Sequence, residues 1–262
     1  MFERLGVIQF RGTIRERSVE PYVRMLRALR DRPTVKGVLL DIASGGGESI
    51  ASMDFYLAVK RLDSVKPVVA SIGSMGASGA YMAALGARKI YAYPESAVGS
   101  IGVIMPHLAV QDLLRRLGVS VELLHEGRHK DAFQGIRPLE EEERAKLRAV
   151  IHEDYELFVN LVAQARKKPV DEIRDLATGE FWTGNRACEL GLIDELGDRE
   201  LALEALAQMT GVPAHRAVRF SPPQPFLQRM LSGSMDTVGP GFLGRLRESI
   251  EDSVLDPFGW HR

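Results

Sequence analysis

The chain has 262 residues, enough for one large domain or two small ones with a sizeable core. Its 34 Lys and Arg against 35 Asp and Glu leave a formal charge of −1, so nothing electrostatic favours nucleic acid as a main partner. The single cysteine, Cys188, excludes an internal disulfide framework and a cysteine-based zinc site. No uninterrupted apolar run approaches the ~18–20 residues of a bilayer-spanning helix, and the opening MFERLGVIQFRG lacks the basic-then-apolar order of a secretion signal. The expected location is therefore the cytoplasm or the periphery of a membrane.

Strand-like and helix-like stretches alternate from residue 4 to about 125. LGVIQFRG reads as a strand and VEPYVRMLRALRD has apolar residues at helical spacing. VKGVLLDIA is a continuous apolar strand of the kind covered on both faces, followed by the helix ESIASMDFYLAVKRL. KPVVASIG, KIYAYP, SIGVIM and VSVELLHEG read as further strands. This βαβ rhythm predicts an α/β fold with a largely parallel sheet and helices packed outside it.

Residues 139–168 read as one long amphipathic helix whose positions Leu147, Ile151, Tyr155, Phe158, Val162 and Ala165 face a core. The turn-rich LATGEFWTGNRACELGLIDELG follows, in which Phe181, Trp182 and Cys188 are expected to pack rather than react. One domain is expected over 1–212 and a tail over 213–262. In that tail Phe242, Leu246, Ile250 and Val254 form a four-residue apolar stripe expected to dock on protein.

Three stretches carry chemistry. GSMGASGAY sets Ser78 just past a strand and at the start of a helix, where free N–H groups stabilise an anion. GASGA nearly matches the G-x-S-x-G elbow, with Ala80 in the last glycine's place; a serine in a tight small-residue contact is the plainer alternative. DIASGGGES, at the end of a buried strand, exposes backbone N–H groups suited to an oxyanion hole or a phosphate cradle. Glu48 after the glycines speaks against phosphate. EGRHKDAFQG is polar and turn-like, and its Lys130 taken alone reads as solvated. A histidine triad would need an acid and then a His after Ser78; Asp198 and His215 satisfy that order only.

Taken together and in this order, SGGGES, GSMGASGAY, AVGSIGVIM, EGRHKD and FWTGNRACELGLIDELG resemble the signal peptide peptidase (SppA) family of serine peptidases, over roughly residues 4–210. The resemblance implies a Clp-protease/crotonase-like fold and a Ser/Lys dyad. Ser78 falls on the family's nucleophile, Lys130 on its general base, and Ser100 on the serine that positions the lysine. The oxyanion hole falls on Gly79 and on the glycine loop, where Gly47 matches best and Gly46 is its neighbour; Gly45 replaces the usual proline. Extended peptides as substrates, no metal or organic cofactor, and a homo-oligomeric ring whose protomers complete one another's sites are further implications. Many relatives carry an N-terminal membrane anchor and none is expected here, which leaves general peptide hydrolysis open beside signal-peptide disposal. A crotonase-like acyl-thioester enzyme and an inactive membrane-assembly scaffold are the competing functions.

Overall fold

The computed structural model describes residues 2–222. The predicted alternation is present: β1 (Arg4–Arg11), α1 (Glu16–Arg30), β2 (Val35–Ser44), α2 (Ser49–Asp63), β3 (Val68–Ala77), α3 (Gly79–Ala84), β4 (Lys89–Ala92) and β5 (Ala97–Gly99). Then come α4 (Gln111–Arg116), α5 (Glu141–Arg166), α6 (Val170–Leu176), β6 (Phe181–Thr183), α7 (Gly184–Glu189), β7 (Glu195–Leu196), α8 (Arg199–Thr210) and β8 (Ala217–Phe220). One sheet runs in the order β6-β5-β3-β2-β1-β8, and β4 and β7 branch from β3. All pairings are parallel except β5 with β6. β8 lies beyond residue 212, so the sheet takes in a segment assigned to the tail by sequence.

The central strands are apolar on both faces because both are covered. Ile8, Phe10, Leu40 and Ile42 pack under α1 and α2 against Leu26, Phe55 and Val59. On the other face Leu5, Leu39, Val69 and Tyr91 meet Ala202 and Leu206 of α8. β3 is shared along its length: Val69–Ile72 pair with β4, whereas Met75–Ala77 pair with β5. This fork leaves the C-terminal end of β3 between β2 and β5, and it fixes where the next residue stands.

Three expectations are corrected. SIGVIM and VSVELLHEG are not strands: β5 stops at Gly99, and residues 100–110 and 118–125 have no regular secondary structure. A strand needs a neighbouring strand for its N–H and C=O groups, and among the described residues no strand pairs with these segments. The α5 stripe is buried only toward its C-terminal end, at Phe158, Val159 and Leu161–Ala163, while Leu147, Ile151 and Tyr155 are half-exposed. Phe181 is 64% exposed, so it is no core residue, although Trp182 and Cys188 pack against the core. The tail stripe from Phe242 to Val254 lies outside the described residues.

Candidate active site

Register brings two serines together. Ala77 pairs with Gly99, so Ser78 and Ser100 follow side by side off the ends of β3 and β5. Each turns at once into a positive φ, 50° at Ser78 and 49° at Ser100, a region that costs a non-glycine residue of order 1–3 kcal/mol. Hydrogen bonds hold both in place. The Ser78 N–H donates to Gly99 O at 2.7 Å, and the Ser100 N–H donates to Glu180 O at 2.7 Å. The Ser100 hydroxyl donates to Gly179 O at 3.2 Å, leaving its lone pairs free to accept. The sharp turn at Ser78 starts α3, whose Tyr81 is fully buried and donates its hydroxyl to Leu192 O at 2.6 Å. Burial pushes the Tyr81 phenol well above its ordinary value, so the group stays a neutral donor.

The glycine loop lies against this turn. A Cβ on Gly46 would stand 2.7 Å from the Gly79 nitrogen and 2.9 Å from Ser78 Cβ, so only glycine leaves the space over that N–H open. A Cβ on Gly79 would overlap Ser52 Oγ and stand 3.5 Å from the Gly47 nitrogen. The Gly46 N–H already donates to Ser44 Oγ at 3.1 Å. The Gly47 and Gly79 N–H groups have no acceptor among the described residues. Two open donors thus flank Ser78, the arrangement that stabilises a developing oxyanion.

A cavity of about 750 Å³ collects Ser78, Ser100, Gly79 and the glycine loop. Its wall also takes in Val103 and Ile104 of the AVGSIGVIM motif and, from places no motif marked, Ser52 and Met82 of α2 and α3 and Tyr155 and Phe158 of α5. Tyr155 is held by its hydroxyl, which donates to Ala177 O at 3.0 Å. The only sequence signal for Tyr155 and Phe158 was the apolar α5 stripe, which says that a face is covered and not by what.

Lys130 does not line this cavity. It is exposed on a turn closed by its own N–H, which donates to Gly127 O at 3.0 Å, and its ammonium has no partner among the described residues. Asp198 and His215 form no triad: the Asp198 carboxylate accepts the Leu201 N–H at 2.7 Å as the cap of α8, and His215 is exposed outside the cavity. Among the described residues no three His, Cys, Asp or Glu side chains group as a metal site requires, and no helix is long and apolar enough to cross a membrane.

This architecture is that of the Clp proteases: a ClpP1 chain from Listeria monocytogenes superposes with a TM-score of 0.51 over 75% of this chain and 93% of that one, at 15% identity. The family model for peptidase family S49 matches residues 60–213. A protease-named protein of Synechocystis is 31% identical over 233 residues, covering 88% of this chain and 84% of its own. A protease-named protein of Methanocaldococcus jannaschii is 38% identical over 199 residues, 76% of this chain and 64% of that one. The chloroplastic serine protease SPPA of Arabidopsis thaliana is 31% identical over 218 residues, 82% of this chain and 32% of its own. The chain thus spans less than two thirds of the M. jannaschii relative and about a third of the chloroplast one. It belongs to peptidase family S49, the SppA-type serine peptidases.

Proposed function

We propose that the chain is an endopeptidase in which Ser78 attacks the peptide carbonyl, Gly79 and Gly47 N–H groups hold the oxyanion, and Lys130 is the general base. The observation that carries this is the strained Ser78 between two unpartnered N–H groups in one cavity. Gly46 serves the hole by leaving space rather than by donating, since its N–H is already bonded. An ordinary lysine, of pKa near 10.4, is neutral in only about one molecule in 2,500 at pH 7. Lys130 therefore acts only where it is desolvated, and the described residues of its own protomer leave it exposed. The segment that carries it exposes Ile104, Leu108, Leu117 and Leu124 by 67–91% each. Single exposed apolar residues are ordinary, but this many on one segment mark a protein contact. A ring of identical chains that buries this segment would bring the amine of one protomer's Lys130 to the Ser78 hydroxyl of the next, with the neighbouring Ser100 accepting a hydrogen bond from that amine. Extended peptides with small or aliphatic residues fit the cavity wall of Met82, Val103 and Phe158.

Covalent labelling tests the nucleophile. A fluorophosphonate probe should modify the full-length protein on Ser78 and leave Ser78→Ala unlabelled. Labelling that persists in Ser78→Ala, or peptide hydrolysis by that variant, would refute the assignment.

A further inference from the structure

The residue after Lys130 is a carboxylate, and what surrounds it bears on the base. Asp131 Oδ2 accepts from Arg137 Nε at 2.8 Å. The other two guanidinium nitrogens donate to Glu143 Oε2 and Oε1 at 2.8 and 2.7 Å. Glu143, in the first turn of α5, is 2% exposed and also accepts the Glu140 N–H at 2.9 Å. All three nitrogens of one rigid fork thus tie the Lys130 turn to the start of a long helix, the kind of charge-assisted contact that fixes geometry. The hydrogen bonds from Arg137 pull the Glu143 carboxyl down to about 2 and hold Asp131 below its ordinary value.

Apart from Glu126, which has no ion pair among the described residues, the other charged groups of the turn meet side chains of α5. Arg128 pairs with Glu142 at 2.7 Å, and Lys146 pairs with Glu142 at 2.8 Å. His129 lies 3.6 Å from Glu142, 3.7 Å from Glu143 and 2.6 Å from Lys146 Nζ. His125 stands 3.9 Å from Asp131 Oδ1, an oxygen that is buried and has no hydrogen bond among the described residues. Among the described residues Arg137 is thus the one permanent cation bonded to Asp131. A base lysine must lose its proton, and a bare carboxylate beside it opposes that loss.

We propose that Arg137 is a positioning residue for Lys130: it pins the Lys130 turn to α5 through Asp131 and Glu143, and it neutralises the carboxylate that follows the base. This rests on the assignment of Lys130 as base. The test is the pH profile of kcat/KM for full-length Arg137→Gln, Asp131→Asn, the double variant and Lys130→Ala, each with a thermal melt. Loss of Arg137 should move the apparent pKa of activity upward by about one unit, so that the deficit is about tenfold at neutral pH and shrinks as pH rises. Asp131→Asn, which keeps an oxygen for Arg137, should move it downward, and the double variant should return toward the parent profile. An unshifted profile in Arg137→Gln, or an equal loss at every pH that the double variant does not relieve, overturns the inference. Should Arg137→Gln fail to fold, the Asp131→Asn profile decides: a downward shift supports the inference and no shift overturns it. An inactive Lys130→Ala beside an unshifted Arg137→Gln removes this inference alone, whereas an active Lys130→Ala removes the base assignment with it.

Discussion

The two halves of the candidate site are built in opposite ways. The half with Ser78 and Ser100 grows out of a sheet: strand register sets the serines side by side, and buried Tyr81 locks the helix that follows. The half with Lys130 sits on a segment with exposed apolar side chains and no strand, fastened by its own turn, by the Arg137 fork to α5 and by side-chain pairs of Arg128 and His129 with the same helix. Core packing can hold a nucleophile in a strained φ because many contacts over-determine it. On the proposed assignment, a base that must be dry when it acts would gain its environment from assembly instead, and catalysis would depend on both folding and association, through different residues.

The sharpest way to break the sheet-borne half is Gly46→Ala. Its Cβ would stand 2.7 Å from the Gly79 nitrogen at a φ of 96°, so the oxyanion site is blocked directly. Turnover should fall on the order of 10²–10³-fold, the usual cost of losing one oxyanion donor. Lys130 and its exposed apolar segment are untouched, so association should be unchanged. Peptide hydrolysis alongside sedimentation checks both, and near-normal turnover would place the oxyanion elsewhere. A smaller effect separates packing from chemistry. Tyr81→Phe leaves the buried Leu192 carbonyl without its donor, which should cost about 1–2 kcal/mol of stability. Chemical denaturation measures that loss, while activity below the melting transition should stay close to normal. A variant as stable as the parent would show that this bond does not anchor α3.

The sequence made the first half legible and the second only in part. Apolar strands and the glycine-serine motifs are local patterns, and the sheet that orders Ser78 and Ser100 follows from their alternation with helices. SIGVIM and VSVELLHEG misled because β-propensity without a partner makes no strand, and the propensity in a sequence does not reveal whether a partner is present. The fork of β3 between β4 and β5 was invisible because it depends on which neighbours a strand finds along its length. Arg137 and Glu143 escaped notice for a related reason: in a stretch already rich in charge, nothing distinguishes a bidentate clamp from a solvated pair.

Subunit mixing tests the central claim that Ser78 and Lys130 meet across protomers. Ser78→Ala and Lys130→Ala proteins, each inactive alone, would be combined under conditions where subunit exchange is verified by tagged copies. If one protomer's serine uses its neighbour's lysine, random exchange restores about a quarter of the sites, because each intact pair needs one subunit of each kind side by side. Peptide hydrolysis should then rise from nothing to a substantial fraction of the parent rate. Mixed oligomers that form and stay inactive would contradict the account.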